Sequence, residues 1–103
     1  MIKVSVLYPW TPGASFDMDY YCDKHMALVR RLLGKTLKGV AVDAGLSGDS
    51  KGTKPPYVAI GHLLFDSLDD VRKVFAVHGE TLMADVANYT AIEPVFQISE
   101  VKL

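Results

Sequence analysis

Tyr57-Val58-Ala59-Ile60-Gly61-His62-Leu63-Leu64-Phe65 is the stretch on which the fold turns. Its only strongly polar side chain is His62. A short, almost wholly apolar run bounded by turn-forming residues reads as a central strand covered on both faces. Such a strand needs hydrogen-bonding neighbours on either side and a layer above and below. The rest of the chain has to supply them.

On the N-terminal side, Ile2 to Tyr8 alternates, with Ile2, Val4, Val6 and Tyr8 facing one way and Lys3, Ser5 and Leu7 the other. Period-two alternation is the signature of a strand. Pro9-Trp10-Thr11-Pro12-Gly13 is turn chemistry. Phe16 to Leu33 changes period: Met18, Tyr21, His25, Leu28, Val29 and Leu32 recur at helical steps. Asp17 is placed to cap that helix and Gly34 to end it. Thr36 to Leu46 leans toward β, with Val40 and Val42 on one face, and Ser47 to Pro56 reads as an exposed loop. On the C-terminal side, Ser67-Leu68-Asp69-Asp70 has the pattern of a capping box with Asp in the usual Glu position. Leu68, Val71, Val74 and Phe75 supply a second helical stripe. His78-Gly79 is expected to interrupt it, with a shorter helix from about Glu80 to Asn88. The last strand is expected from about Pro94 to Val101.

The order is β-α-β-β-α-β, the split βαβ or ferredoxin-like motif. This α+β fold carries a four-stranded antiparallel sheet with helices on one face. Residues 1–103 form one domain at this length, with roughly two thirds of the unfolded surface buried. Hydrophobic residues make up 50% of the chain, more than one small monomer readily hides. The second sheet face is therefore expected to meet the same face of another copy, giving an isologous homodimer. The tail Glu100 to Leu103 is a candidate edge strand in that contact.

Eleven basic and twelve acidic residues give a net charge of -1. No basic stripe suits nucleic acid, and no polybasic segment suits an anionic membrane. No apolar run approaches a membrane span, and the N-terminus does not read as a signal peptide. Cytoplasm is the default expectation. Cys22 is alone, so no intramolecular disulfide forms; it is expected to be a buried thiol. The histidines lie on three separate elements without metal-ligand spacing, so no metal site is expected. No Gly-x-Gly-x-x-Gly and no P-loop occurs, so neither NAD nor ATP is suggested. No cofactor is expected.

Tyr20-Tyr21-Cys22-Asp23-Lys24-His25-Met26-Ala27-Leu28-Val29 resembles the signature of the EthD family: a tyrosine pair, three residues, then His-Met-Pro-Leu. Phe16-Asp17 precedes it at the family spacing. Val58 to Phe65 resembles the family's central strand. Ala84-Asp85-Val86-Ala87-Asn88-Tyr89-Thr90 resembles its Ala-Asp-(aliphatic)-x-Asn-Tyr-Thr stretch, followed by Pro94. The likeness spans nearly the whole chain. It implies a dimeric α+β barrel. It also implies kinship with cofactor-free oxygenases, muconolactone isomerases and polyketide tailoring enzymes. Some related barrels hold haem on a helix histidine, though nothing in this sequence demands one. Position 27 departs from the family: alanine stands where proline is common, and is expected to let the helix run straight.

His25 is the leading catalytic candidate. It lies on the apolar stripe, facing the sheet, and an imidazole there can shuttle a proton. A core histidine satisfied by a carbonyl or a tyrosine hydroxyl explains the same pattern. Tyr21, four residues earlier, can touch it. Tyr20 lies off the stripe and is expected to be peripheral. Tyr8 and Trp10 are aromatics suited to a cavity mouth or a dimer rim. Phe65 and Phe75 are candidate apolar walls. His62 is a candidate ligand contact if it faces the cavity and an interface hydrogen bonder if it faces the other way; small Ala59 and Gly61 leave room on the opposite side. His78 is a cap or surface residue, or part of a lid.

The function expected from the resemblance is a cofactor-independent oxidoreductase, isomerase or dehydratase. It would act on a small hydrophobic, oxygen-bearing compound in a degradative pathway. A non-catalytic carrier of such a compound and a purely structural homodimer are the alternatives. A His25 ring facing a cavity of a few hundred cubic ångströms keeps the first two, and a collapsed interior leaves the last.

Overall fold

The computed structural model describes all residues 1–103. Four strands form one antiparallel sheet: β1 (Ile2–Pro9), β2 (Gly39–Ala44), β3 (Tyr57–Phe65) and β4 (Val95–Glu100). Their order is β2-β3-β1-β4, so β3 and β1 are central, as the apolar run required. Two helical segments cross one face. The first, α1 (residues 18–33), starts behind an Asp17 cap that accepts from the Tyr20 N–H. Gly34, at φ 54°, follows its last residue. The second, α2 (Leu68–Asp85), is capped by Ser67, whose hydroxyl accepts from the Asp70 N–H, and is continued by a 3₁₀ turn at Val86–Asn88.

The register decides which side chains meet the helices. Val4 pairs with Leu63 and Ile98, and Val6 with Gly61 and Phe96. Val4, Val6 and Tyr8 therefore share the helix side with Ala59, Gly61, Leu63 and Phe65. Most of these are buried, together with Val29 and Leu33 of α1 and Val71 and Leu82 of α2. Leu7, Val58, Ile60, His62 and Leu64 point to the opposite face, which nothing in the chain covers. That face is half-buried at best, apart from Ser5.

Three expectations fail. The helix does not break at His78-Gly79: α2 passes straight through. Glycine in a helix interior costs only about 1 kcal/mol, which the packed stripe on both sides of it outweighs. Residues 34–36 form a 3₁₀ turn, so β2 starts at Gly39 and is shorter than the β-leaning stretch suggested. Nor does α1 run straight. Tyr21–His25 is a π turn, in which the Met26 N–H reaches back five residues to the Tyr21 carbonyl. Alanine at 27 thus does not give a regular helix, and the irregular turn carries the two buried residues Tyr21 and His25.

Gly61 shows how tight that packing is. A Cβ at 61 would overlap the Tyr21 hydroxyl and come within 3.5 Å of the Met26 methyl. Glycine in a strand interior often marks close approach of this kind. Gly61→Ala is expected to destabilise the fold by about 1–3 kcal/mol through overpacking. Adding Tyr21→Phe removes the colliding oxygen and should restore most of the loss. A urea-unfolding double-mutant cycle measures this, and strictly additive effects would exclude the contact as the cause.

Candidate functional site

The π turn widens the helix where Tyr21 and His25 face the sheet, bringing these residues nearly into line along the axis. Their rings stack, with centroids 5.4 Å apart and planes 13° from parallel. Both side chains are buried. A buried imidazole needs partners for its ring nitrogens. The end of α2 supplies one: His25 Nδ1 lies 2.9 Å from Asp85 Oδ2. A carboxylate only accepts, so Nδ1 carries a proton, and in the neutral imidazole Nε2 holds the lone pair. Nε2 makes no hydrogen bond within the protein. The only buried side-chain polar atom without a partner is His62 Nδ1, so Nε2 retains access to the cavity that His25 lines.

Asp85 is itself held from the other side. Tyr20 Oη and Asn88 Nδ2 each donate to Oδ1 at 2.9 Å. Burial pushes the Asp85 carboxyl up, but the hydrogen bonds from His25, Asn88 and Tyr20 outweigh it and hold the group below the usual carboxylate range. Tyr89 packs beside His25, with ring centroids 4.9 Å apart, and its hydroxyl bonds that of Tyr8 at 2.6 Å. Backbone contacts fix this corner: Asp17 N–H donates to the Tyr89 carbonyl, and the Thr90 hydroxyl to that of Ser15. Burial raises the Tyr8, Tyr21 and Tyr89 hydroxyls far above the usual phenol range. They stay protonated at neutral pH and can only donate or accept hydrogen bonds.

These groups border a cavity of about 260 Å³ between the sheet and both helices. Eleven of its 14 lining residues are hydrophobic. Tyr8, Tyr21 and His25 border it, Phe75 and Leu82 of α2 form a wall with Val86 of the 3₁₀ turn, and half-exposed Met83 and Phe96 edge it toward solvent. The interior is thus open, not collapsed. No group of three or more His, Cys, Asp or Glu side chains is arranged to hold a metal ion.

Of the sequence candidates, Tyr8, Tyr21, His25 and Phe75 come together here. Phe65 does not line the cavity: it is fully buried against Phe75 beneath α2. Trp10 is exposed in the turn after β1, with the Lys54 ammonium over its ring at 5.8 Å. His78 is half-buried on a continuous α2 and does not line the cavity. His62 lies on the other sheet face, bonded through Nε2 to Asp43 at 2.8 Å. Cys22 is exposed, not buried, since it follows the inward-facing Tyr21 by one residue and so points off the buried stripe. Tyr20 is more than peripheral, because it positions Asp85. Asp85 and Tyr89 were missed as site residues. Their signal was the Asp-x-x-Asn-Tyr-Thr run, which the family likeness marked without assigning it a role.

A model of the EthD domain matches residues 13–93. The chain belongs to the EthD family. An EthD-like protein from Ralstonia eutropha is 44% identical over 99% of this chain and 92% of its own, with a TM-score of 0.94. An EthD family protein from Bacillus halodurans shares 16% identity over 99% of both chains, with a TM-score of 0.68. A dimeric ferredoxin-like protein of unknown function from Thermobifida fusca shares 17% identity, covering 97% of this chain and 90% of that one, at a TM-score of 0.60. No curated protein matches the chain. This EthD-family chain has no helix long and apolar enough to cross a membrane.

Asp85→Asn is expected to cost about 1–3 kcal/mol, because it weakens a set of charge-assisted bonds and leaves His25 poorly paired. The folded carboxyl titrates below its unfolded value. Its contribution is complete above about pH 4 and is lost as pH falls through the lower folded value. Urea midpoints measured from pH 7 to pH 2.5 should show a smaller acid-induced loss in Asp85→Asn than in the wild type.

Proposed function

We propose that the cavity binds a small hydrophobic compound carrying an oxygen function, and that His25 moves a proton on it. One observation carries this reading: a His25–Asp85 pair with its free Nε2 on the wall of an otherwise apolar cavity. Asp85 fixes the tautomer and stabilises the imidazolium that forms, so Nε2 serves as a general base. Tyr21 and Tyr8, kept protonated by burial, are placed to donate to an oxygen on which negative charge develops. A carbon acid next to a carbonyl uses both groups at once. Isomerisation, dehydration or ring closure then needs no electron acceptor. Oxidation of the same carbanion would take dioxygen as co-substrate. A carrier role uses the same cavity without the proton transfer.

The second copy belongs to the same proposal. Leu7, Val58, Ile60 and Leu64 form an apolar patch on the uncovered sheet face, continued by Val95, which is 50% exposed. His62 Nδ1 is buried there without a partner, which costs about 1–3 kcal/mol unless a group from outside the chain satisfies it. Sheet-to-sheet pairing of two copies covers the patch and brings new polar groups to His62. The description of the Thermobifida fusca relative as dimeric supports this reading.

Ligand-induced melting shifts over a panel of hydrophobic ketones, lactones and phenols would identify a bound class. Exchange of the bound compound's α-proton for deuterium, followed by NMR, then reads proton abstraction directly. His25→Ala should slow exchange by about 10²–10⁴-fold while ligand affinity stays within a few-fold. Equal loss of both would assign His25 to binding alone. Ile60→Lys should turn a dimer into a monomer in sedimentation velocity, and a monomeric wild type would refute the second copy.

A further inference from the structure

The cavity-facing stripe of α2 runs Phe75, Gly79, Leu82 and Met83 and is continued by Val86 in the 3₁₀ turn. Every position but one carries an apolar side chain. Glycine is the weakest helix former after proline, so its place in the interior of a long helix calls for a reason. Backbone geometry supplies none, because Gly79 is not among the glycines with positive φ. Crowding supplies none either. A Cβ at 79 would meet only Phe75, at 3.8 Å, which is ordinary van der Waals contact. Gly61 shows the contrast, since there a Cβ is excluded outright. What remains is the space in front of Gly79, and that space is the cavity.

We infer that Gly79 sets the size limit of the ligand: it is a specificity-determining position at which helix stability is given up to keep the cavity open. A dry apolar cavity of about 150 Å³ admits benzene. The 260 Å³ present here then holds a molecule of about ten non-hydrogen atoms, such as a ring bearing a short carbonyl substituent. A side chain at 79 would shorten that allowance from the α2 side, whereas Tyr21 and His25 border the cavity from α1. The inference rests on the cavity being a ligand site, as proposed above, but not on His25 acting as a base.

The test compares the full-length wild type with Gly79→Ala and Gly79→Leu. Gly79→Ala should melt about 4–8 °C higher, as expected when an unneeded helix glycine is replaced. Xenon under pressure should enter wild-type crystals beside residue 79 and be excluded from Gly79→Leu. Gly79→Leu should weaken binding of propiophenone about tenfold or more while leaving cyclohexanone nearly unchanged. A lower melting temperature for Gly79→Ala would overturn the inference, since it would mean glycine serves packing. So would xenon absent from the wild type or retained in Gly79→Leu, or equal weakening of both ketones. A wild type that takes up xenon but neither ketone would instead count against the ligand class proposed above, with the role of Gly79 then decided by xenon and melting alone.

Discussion

The hydrogen bond between His25 and Asp85 is the constraint around which the rest is arranged. An imidazole buried among tyrosines must be partnered, and its partner comes from the far end of the other helix. That single bond joins α1 to α2 across the sheet. It also commits one ring nitrogen, and the other makes no hydrogen bond within the protein. Tyr20, Asn88 and the Tyr8–Tyr89 pair then hold Asp85 and its surroundings in place. The contacts that fix the tertiary structure here are the ones on which the proposed chemistry relies. The corner is therefore both the most polar and among the most tightly fixed parts of the interior.

The π turn lies within this arrangement. Within that one turn the Tyr21 hydroxyl abuts Gly61 and His25 reaches Asp85. Widening one turn comes at the cost of poorer backbone hydrogen bonds there. Such turns often sit where a side chain is held for a purpose other than helix stability.

Much of the fold was legible because it depends on periodicity. The alternation in Ile2 to Tyr8 and the apolar run Tyr57 to Phe65 assign the central strands, and Asp17, Gly34 and Ser67 mark helix ends through local hydrogen bonding. Tyr21 and His25 could be picked out since both lie on one stripe. Asp85 could not be, because its partner is 60 residues away and a carboxylate near a helix end looks like any solvated charge. The straight helix expected from Ala27 was wrong for a related reason: the sequence pattern records local propensity, whereas the π turn carries a residue in contact with β3. The break expected at Gly79 overvalued a local penalty that packing on both sides outweighs.

Phe96 joins two questions that are usually kept apart. It stands on an edge strand, 49% exposed, with one part of its ring against the cavity and the rest facing solvent. Ile98, in line with it on β4, is equally uncovered. Anything that packs on this edge restrains the ring from outside, and anything in the cavity restrains it from inside. Occupancy on one side would thereby change the free energy of occupancy on the other, and the effect would be reciprocal. A coupling between a molecule in the interior and one packed on this edge would run through this one aromatic ring.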